Sequence, residues 1–139
     1  MDLVYQNKHQ SIKVCFDGIS NIIMIQFEGV VSHEDYQQGY TKLIELTKSH
    51  GVKKFIYHTK KLKKVSVKSR TWYLNHVASQ IIQPGVLFAV VNAENIGNQV
   101  ATETMQDALM EMGYTDMLFE RFDTYKEALI WLDSRQLEK

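Results

Sequence analysis

Six consecutive apolar residues, Val86-Leu87-Phe88-Ala89-Val90-Val91, directly follow Gln83-Pro84-Gly85. The Pro-Gly pair stops any helix running up to it. No polar side chain interrupts the run, so neither face of such a strand can meet water. The run predicts a parallel strand covered on both sides by other elements. A chain of 139 residues is long enough to bury a core of this kind as one domain.

The segments around that strand alternate between the two regular periods. Ile12, Val14 and Phe16 interleave with Lys13, Cys15 and Asp17, the period of a half-buried strand. A turn begins at Asp17-Gly18 and runs through Ser20-Asn21, and Ile22 to Phe27 is a second strand, predicting an antiparallel hairpin. Ser32 is placed as an N-cap, with Asp35 near the positive end of the helix that follows. Tyr36, Tyr40, Leu43, Ile44 and Thr47 keep helical spacing, and Gly51 suits the position after the last turn, so 33–50 is a helix. Phe55-Ile56-Tyr57 is a short central strand. Ser66 caps a second helix to about Ile82, with Leu74, Val77, Ala78 and Ile81 inward and Trp72 and His76 on another face.

A third helix carries Ala101, Met105, Ala108, Leu109 and Met112 on its stripe and ends at Gly113. Met117 to Phe122 is the last strand. Asp123 or Thr124 caps the last helix, with Glu127 completing a Thr-x-x-Glu box and Tyr125, Ala128, Leu129 and Leu132 facing in. Residues 1–11 are polar, and Leu3, Val4 and Tyr5 either pair with a sheet edge or fray. The order is β-β-α-β-α-β-α-β-α. It predicts an α/β fold with a mixed, mostly parallel sheet and packed helices, one domain over 1–139 with its core at about 12–135.

Charge is unevenly spread although the formal net charge is zero. No Asp or Glu lies between Glu45 and Glu94, an interval holding Lys48, Lys53, Lys54, Lys60, Lys61, Lys63, Lys64, Lys68 and Arg70. Acids outnumber bases from Glu94 onward. Either the two regions neutralise each other, within the fold or across a dimer, or the basic stretch is an anion or partner site. Zero net charge argues against a dedicated nucleic-acid binder. The single cysteine, Cys15, excludes an intrachain disulfide and fits a cytoplasmic protein. The first ten residues hold no apolar core of a signal peptide, and no apolar run is long enough to span a bilayer.

Three features together resemble the small SpoIIAA-like proteins of the STAS superfamily, also described as STAS/SEC14-like. Phe27-Glu28-Gly29-Val30 leads into a helix bearing Tyr36 and Tyr40. The central strand is followed by a loop, Ser66 and Trp72. The closing segment Phe122-Asp123-Thr124-Tyr125-Lys126-Glu127-Ala128-Leu129-Ile130-Trp131-Leu132 is similar to the family's F-x-x-x-x-E-A-x-x-W-L helix. The resemblance implies a SpoIIAA-like fold and a bacterial regulatory or protein-interaction module of the anti-sigma-factor-antagonist kind. In those proteins a partner kinase phosphorylates a serine at the start of the helix after the central strand, which is Ser66 here. The family's loop resembles Asp-Ser-Ser-Gly, where this chain has Val65-Ser66-Val67-Lys68. The SEC14-like comparison implies a second class, a binder of a small apolar or anionic ligand.

Two residue groups are candidate sites. Ser66 and Ser69, with Lys63, Lys64 and Lys68, join a helix start to nearby cations, a recipe for holding a phosphate or carboxylate. The plain alternative is an N-cap serine with solubilising lysines. His58, Trp72, Tyr73 and His76 are candidates for a pocket or interface, Trp72, Tyr73 and His76 on one exposed helix face and His58 at the end of the central strand. His9, His33, His50, His58 and His76 lack metal-ligand spacing, and Cys15 reads as a buried structural thiol. Met105, Met110, Met112 and Met117 read as core filler. No nucleophile–base motif is visible, so no enzyme, metal or cofactor is expected. The expected partner is another protein or a second copy of the chain, with a small ligand as the alternative.

Overall fold

The computed structural model describes residues 1–135; residues 136–139 of the expected domain lie outside the described residues. A six-stranded sheet forms in the order β1(Asp2–Gln6), β2(Ile12–Asp17), β3(Ile22–Val31), β4(Lys54–Val65), β5(Val86–Val91), β6(Met117–Phe122). The first two neighbouring pairs are antiparallel and the other three parallel. The mixed, mostly parallel α/β reading therefore holds. It gains one strand, because Asp2, Leu3, Tyr5 and Gln6 pair along β2, with an irregularity at Val4.

Helix α1(His33–His50) joins β3 to β4. Its ends match the sequence reading: the Ser32 side chain accepts from the Asp35 N–H, and Gly51 takes the left-handed conformation at φ 61°. The segment between β4 and β5 is α2(Val67–Trp72), a π-helical turn at Tyr73–Val77, and α3(Ala78–Ile81). Helix α4(Ile96–Glu111) joins β5 to β6, and α5(Tyr125–Ser134) ends the described chain. Thr124 caps α5, its hydroxyl accepting from the Glu127 N–H and bonding the Glu127 carboxylate.

Strands β3 to β6 lie side by side in chain order. Crossovers of uniform hand along such a row place every connecting helix on one face. The helices α1, α2–α3 and α4 do share a face, over Ile23, Ile25, Phe27, Phe55 and Phe88. Helix α5 covers the other face, the one described helix to do so, placing Ala128 and Leu132 on Ile22, Met24, Ile56, Leu87, Ala89 and Val91. All six residues of β5 are buried, as a strand covered twice requires.

The basic stretch departs from expectation. It is not a loop: β4 continues to Val65, and Lys61, Leu62, Lys64 and Val65 pair in parallel with Glu28, Gly29, Val30 and Val31. Lysine is a weak strand former, which hides the strand in the sequence. Its lysines can be tolerated because Lys61, Lys63 and Lys64 are exposed while Val65 is buried. The methionines also differ: Met110 and Met112 are exposed, so they fill no core.

Helix α1 lies close on β2. A Cβ added at Gly39 would stand 2.8 Å from Cγ2 of Ile12, a residue with no exposed surface. Ile12 is β-branched and boxed in, so it cannot easily yield. Gly39→Ala is expected to destabilise the protein by about 1–3 kcal/mol in urea unfolding, despite alanine's better helix propensity. An unchanged or raised midpoint would mean that Ile12 repacks freely.

Candidate functional site

Four tyrosines meet on the helix-covered face near the carboxyl end of β5, where open parallel sheets commonly hold their ligands. Tyr36 and Tyr40 sit one turn apart on α1, with ring centroids 4.7 Å apart. Tyr57 rises from β4, and Tyr73 comes down from the π-helical turn. Their hydroxyls are 2.6 Å apart, one donating to the other. Tyr40 packs edge-on against both Tyr57 and Tyr73. Phe27 closes the group at 6.1 and 6.0 Å from Tyr36 and Tyr40.

Beside these rings lies a cavity of about 90 Å³. Leu62 and Val65 of the β4 extension form one wall, Val90 and Phe119 the floor, and Ala101, Met105 and Leu109 of α4 the cover. Arg70 is the one charged residue among the lining residues. The hydroxyls of Thr59 and Thr102 are both committed, donating to the carbonyls of Val91 and Asn98.

The cover is lightly attached. Helix α4 fully buries only Leu109, against five residues for α1. Polar contacts hold its first half. The Asn98 amide donates to the carbonyls of Leu62 and Lys63 at 2.9 and 3.1 Å. Arg121 pairs with Glu103 at 3.0 Å. Ile96 and Val100 are left exposed at 75 and 54 %. An element with few buried apolar contacts is among the first to open locally.

The helical segment after β4 corrects one part of the sequence reading. Trp72 and His76 do share a face, with ring centroids 5.9 Å apart, and Trp72 also meets Tyr36 and His33. Tyr73 does not lie on that face. Successive helix positions point about 100° apart, so Tyr73 falls on the inward side with Val77, four residues on. Tyr73 is buried there and joins the cavity. His58 is separated from the group altogether, because neighbours along a strand point to opposite faces. It lies under α5 beside Tyr125, at 6.1 Å between rings. Its Nδ1 is buried without a partner among the described residues, and burial lowers its pKa.

Ser66 does cap α2, its hydroxyl accepting from the Ser69 N–H at 3.1 Å. It also donates to Ser69 Oγ at 3.0 Å, which contacts His33 Nδ1 at 2.9 Å. Ser69 has no exposed surface, so it is a buried link and not an open anion ligand. Lys63, Lys64 and Lys68 are exposed, and none is bonded to either serine among the described residues. The site residues hidden from sequence reasoning are Tyr36, Tyr40 and Tyr57, whereas Arg70 belongs to the basic stretch read there as an anion or partner site. The available signal was the number of tyrosines at inward positions, since a buried hydroxyl needs a partner that leucine would not.

No family model, curated protein or solved structure matches the chain. No described helix is long and apolar enough to cross a membrane, and no three metal-ligating side chains among the described residues are grouped to hold an ion.

Burial, as the largest cause in each case, raises the pKa of Tyr36, Tyr40, Tyr57 and Tyr73 above the ordinary 10.0. A folded-state pKa above the unfolded one gives stability that is complete below the ordinary value and lost as pH rises past it. Four of the seven tyrosines are therefore expected to stay protonated in an ultraviolet alkaline titration until the chain unfolds. The urea midpoint should fall above about pH 10. Normal titration of all the tyrosines in the folded protein would contradict a closed cluster.

Proposed function

We propose that the protein binds a small, largely apolar ligand in the cavity beneath α4. The observation that carries this reading is the pre-formed space itself, about 90 Å³ walled by aromatic and aliphatic side chains. Small-molecule sites are concave, mostly apolar and furnished with few polar groups. No aspartate, glutamate, histidine, cysteine or lysine lines the cavity, and both threonine hydroxyls are occupied. Binding without chemical transformation fits that lining, since a nucleophile or general base needs an available partner. The space opens to solvent, and α4, which fully buries Leu109 alone, is a wall that yields readily.

A regulatory, protein-interaction module of the SpoIIAA-like kind is the second reading. It is favoured by Ser66 at a helix start on a surface of exposed lysines, together with the order of elements from β2 onward. The present hydrogen bonds oppose it, because phosphate on Ser66 would displace the hydroxyl from its contact with buried Ser69.

Xenon and toluene test the cavity as neutral apolar probes. An engineered apolar cavity of about 150 Å³ takes up such guests. Saturating xenon is expected to shift amide resonances of Ala101, Met105 and Leu109, and toluene to slow hydrogen exchange in α4. Ala101→Phe fills the space and should abolish both effects while the protein stays folded. Resonance shifts confined to the outer surface, or unchanged in Ala101→Phe, would refute the cavity reading.

A further inference from the structure

Arg70 stands out among the residues around the cavity. It is half-buried, lines an apolar space and forms no ion pair with any described residue. One guanidinium N–H donates to the Val65 carbonyl at 2.7 Å, which fixes the group on the cavity wall. A guanidinium carries five N–H donors, so most remain available. Its charge reaches the cluster, where it acts on the Tyr36 hydroxyl against the effect of burial. A cation set in apolar surroundings without a counterion is costly unless something of opposite charge joins it.

The chain around Arg70 supplies no such group. Asp and Glu are absent from the whole interval between Glu45 and Glu94, which contributes Tyr57, Thr59, Leu62, Val65, Arg70, Tyr73 and Val90 to the lining. Lys61, Lys63, Lys64 and Lys68 add positive potential outside the same wall and draw anions toward it. Six aromatic rings line the space beside its aliphatic wall and cover: Phe27, Tyr36, Tyr40, Tyr57, Tyr73 and Phe119. Aromatic walls favour a flat ring, which they meet edge-on or offset.

Building on the cavity reading, we infer that the ligand is a small aromatic carboxylate, its ring among the tyrosines and its carboxylate on the guanidinium of Arg70. The planar fork of arginine matches the two oxygens of a carboxylate, whereas a lysine would offer only a point charge. The Tyr57–Tyr73 hydroxyl pair lies within the same lining and leaves one hydroxyl hydrogen over after its mutual bond, free for a second contact to the ligand. The light attachment of α4 lets the space widen around a ring.

Benzoate and benzamide separate charge from shape, because they are nearly isosteric and differ in charge. Titrations followed by amide resonances are made on the wild-type protein, on Arg70→Met and on Arg70→Lys. Benzoate is expected to bind the wild type at least about tenfold more tightly than benzamide. Arg70→Met should remove that preference, weakening benzoate by about tenfold or more and benzamide by less than about twofold. Arg70→Lys should retain part of it, and it carries the test if Arg70→Met fails to fold. Equal affinity for the two probes in the wild type, or a preference for benzoate that survives Arg70→Met, overturns the inference. If toluene and xenon bind but benzoate does not, the carboxylate assignment falls and the cavity reading stands. If none of the four probes binds, both fall together.

Discussion

The parallel pairing of β3 with β4 is the constraint on which the rest of the molecule depends. It runs from Ile22 against Lys54 to Val31 against Val65, with register shifts near Glu28 and Val30. Its first half lies in the body of the sheet, between the N-terminal hairpin and β5. Its second half passes beyond the end of β5 at Val91 and stands as a two-stranded extension. That overhang gives the cavity a wall. Leu62 and Val65 face the space from it, and its carbonyls at Leu62, Lys63 and Val65 hold Asn98 and Arg70. Without the extension, α2 would have no fixed starting point and α4 no anchor at its first turn.

The two faces of the sheet follow from connectivity. Three crossovers of one hand crowd α1, α2–α3 and α4 onto a single face, which must then accommodate large side chains. Phe27, Phe55, Tyr57, Phe88 and Phe119 all point there. The opposite face is covered by one short helix and carries smaller or aliphatic residues, Ala89 and Val91 among them. Aromatic rings around four converging elements do not fill space as evenly as aliphatic side chains against one helix. The cavity arises on the crowded face for this reason.

Much of the frame was legible from local chemistry. Ser32, Gly51 and the Thr124–Glu127 box set helix ends through short-range hydrogen bonds, and such signals are carried within a few residues. The unbroken apolar run at 86–91 revealed a doubly covered strand. The β4 extension was not legible because its pairing partner, Glu28–Val31, lies about thirty residues away in sequence, and lysines at 60, 61, 63 and 64 mimic a loop. Tyr73 belongs to the inward stripe of Val77 and not to the Trp72–His76 face, since neighbouring helix positions point about 100° apart. The cavity was least legible of all. Its lining comes from every strand from β3 to β6 and from α1, α2, the π turn and α4, and no local pattern encodes such a convergence. His58 reads from the sequence as the end of the central strand, yet that strand runs on to Val65 and strand alternation sends His58 to the far face.

The energetics of the space bear on whether it is a defect. Protein interiors are close-packed, so a concave space of about 90 Å³ on the crowded face departs from the usual density. The remedy would be simple in sequence terms: a larger side chain at Ala101 would occupy the gap. The wall carries further cost, since Tyr36, Tyr40, Tyr57 and Tyr73 bury hydroxyls where phenylalanine would pack as well, and Arg70 brings a charge without a described partner. A chain under selection for stability alone would lose these features one substitution at a time. Cavity, hydroxyl pair and cation coincide at one place, against α4. That coincidence has a physical explanation if a guest occupies the space and neutralises the arginine, since anything that binds the folded state alone stabilises it.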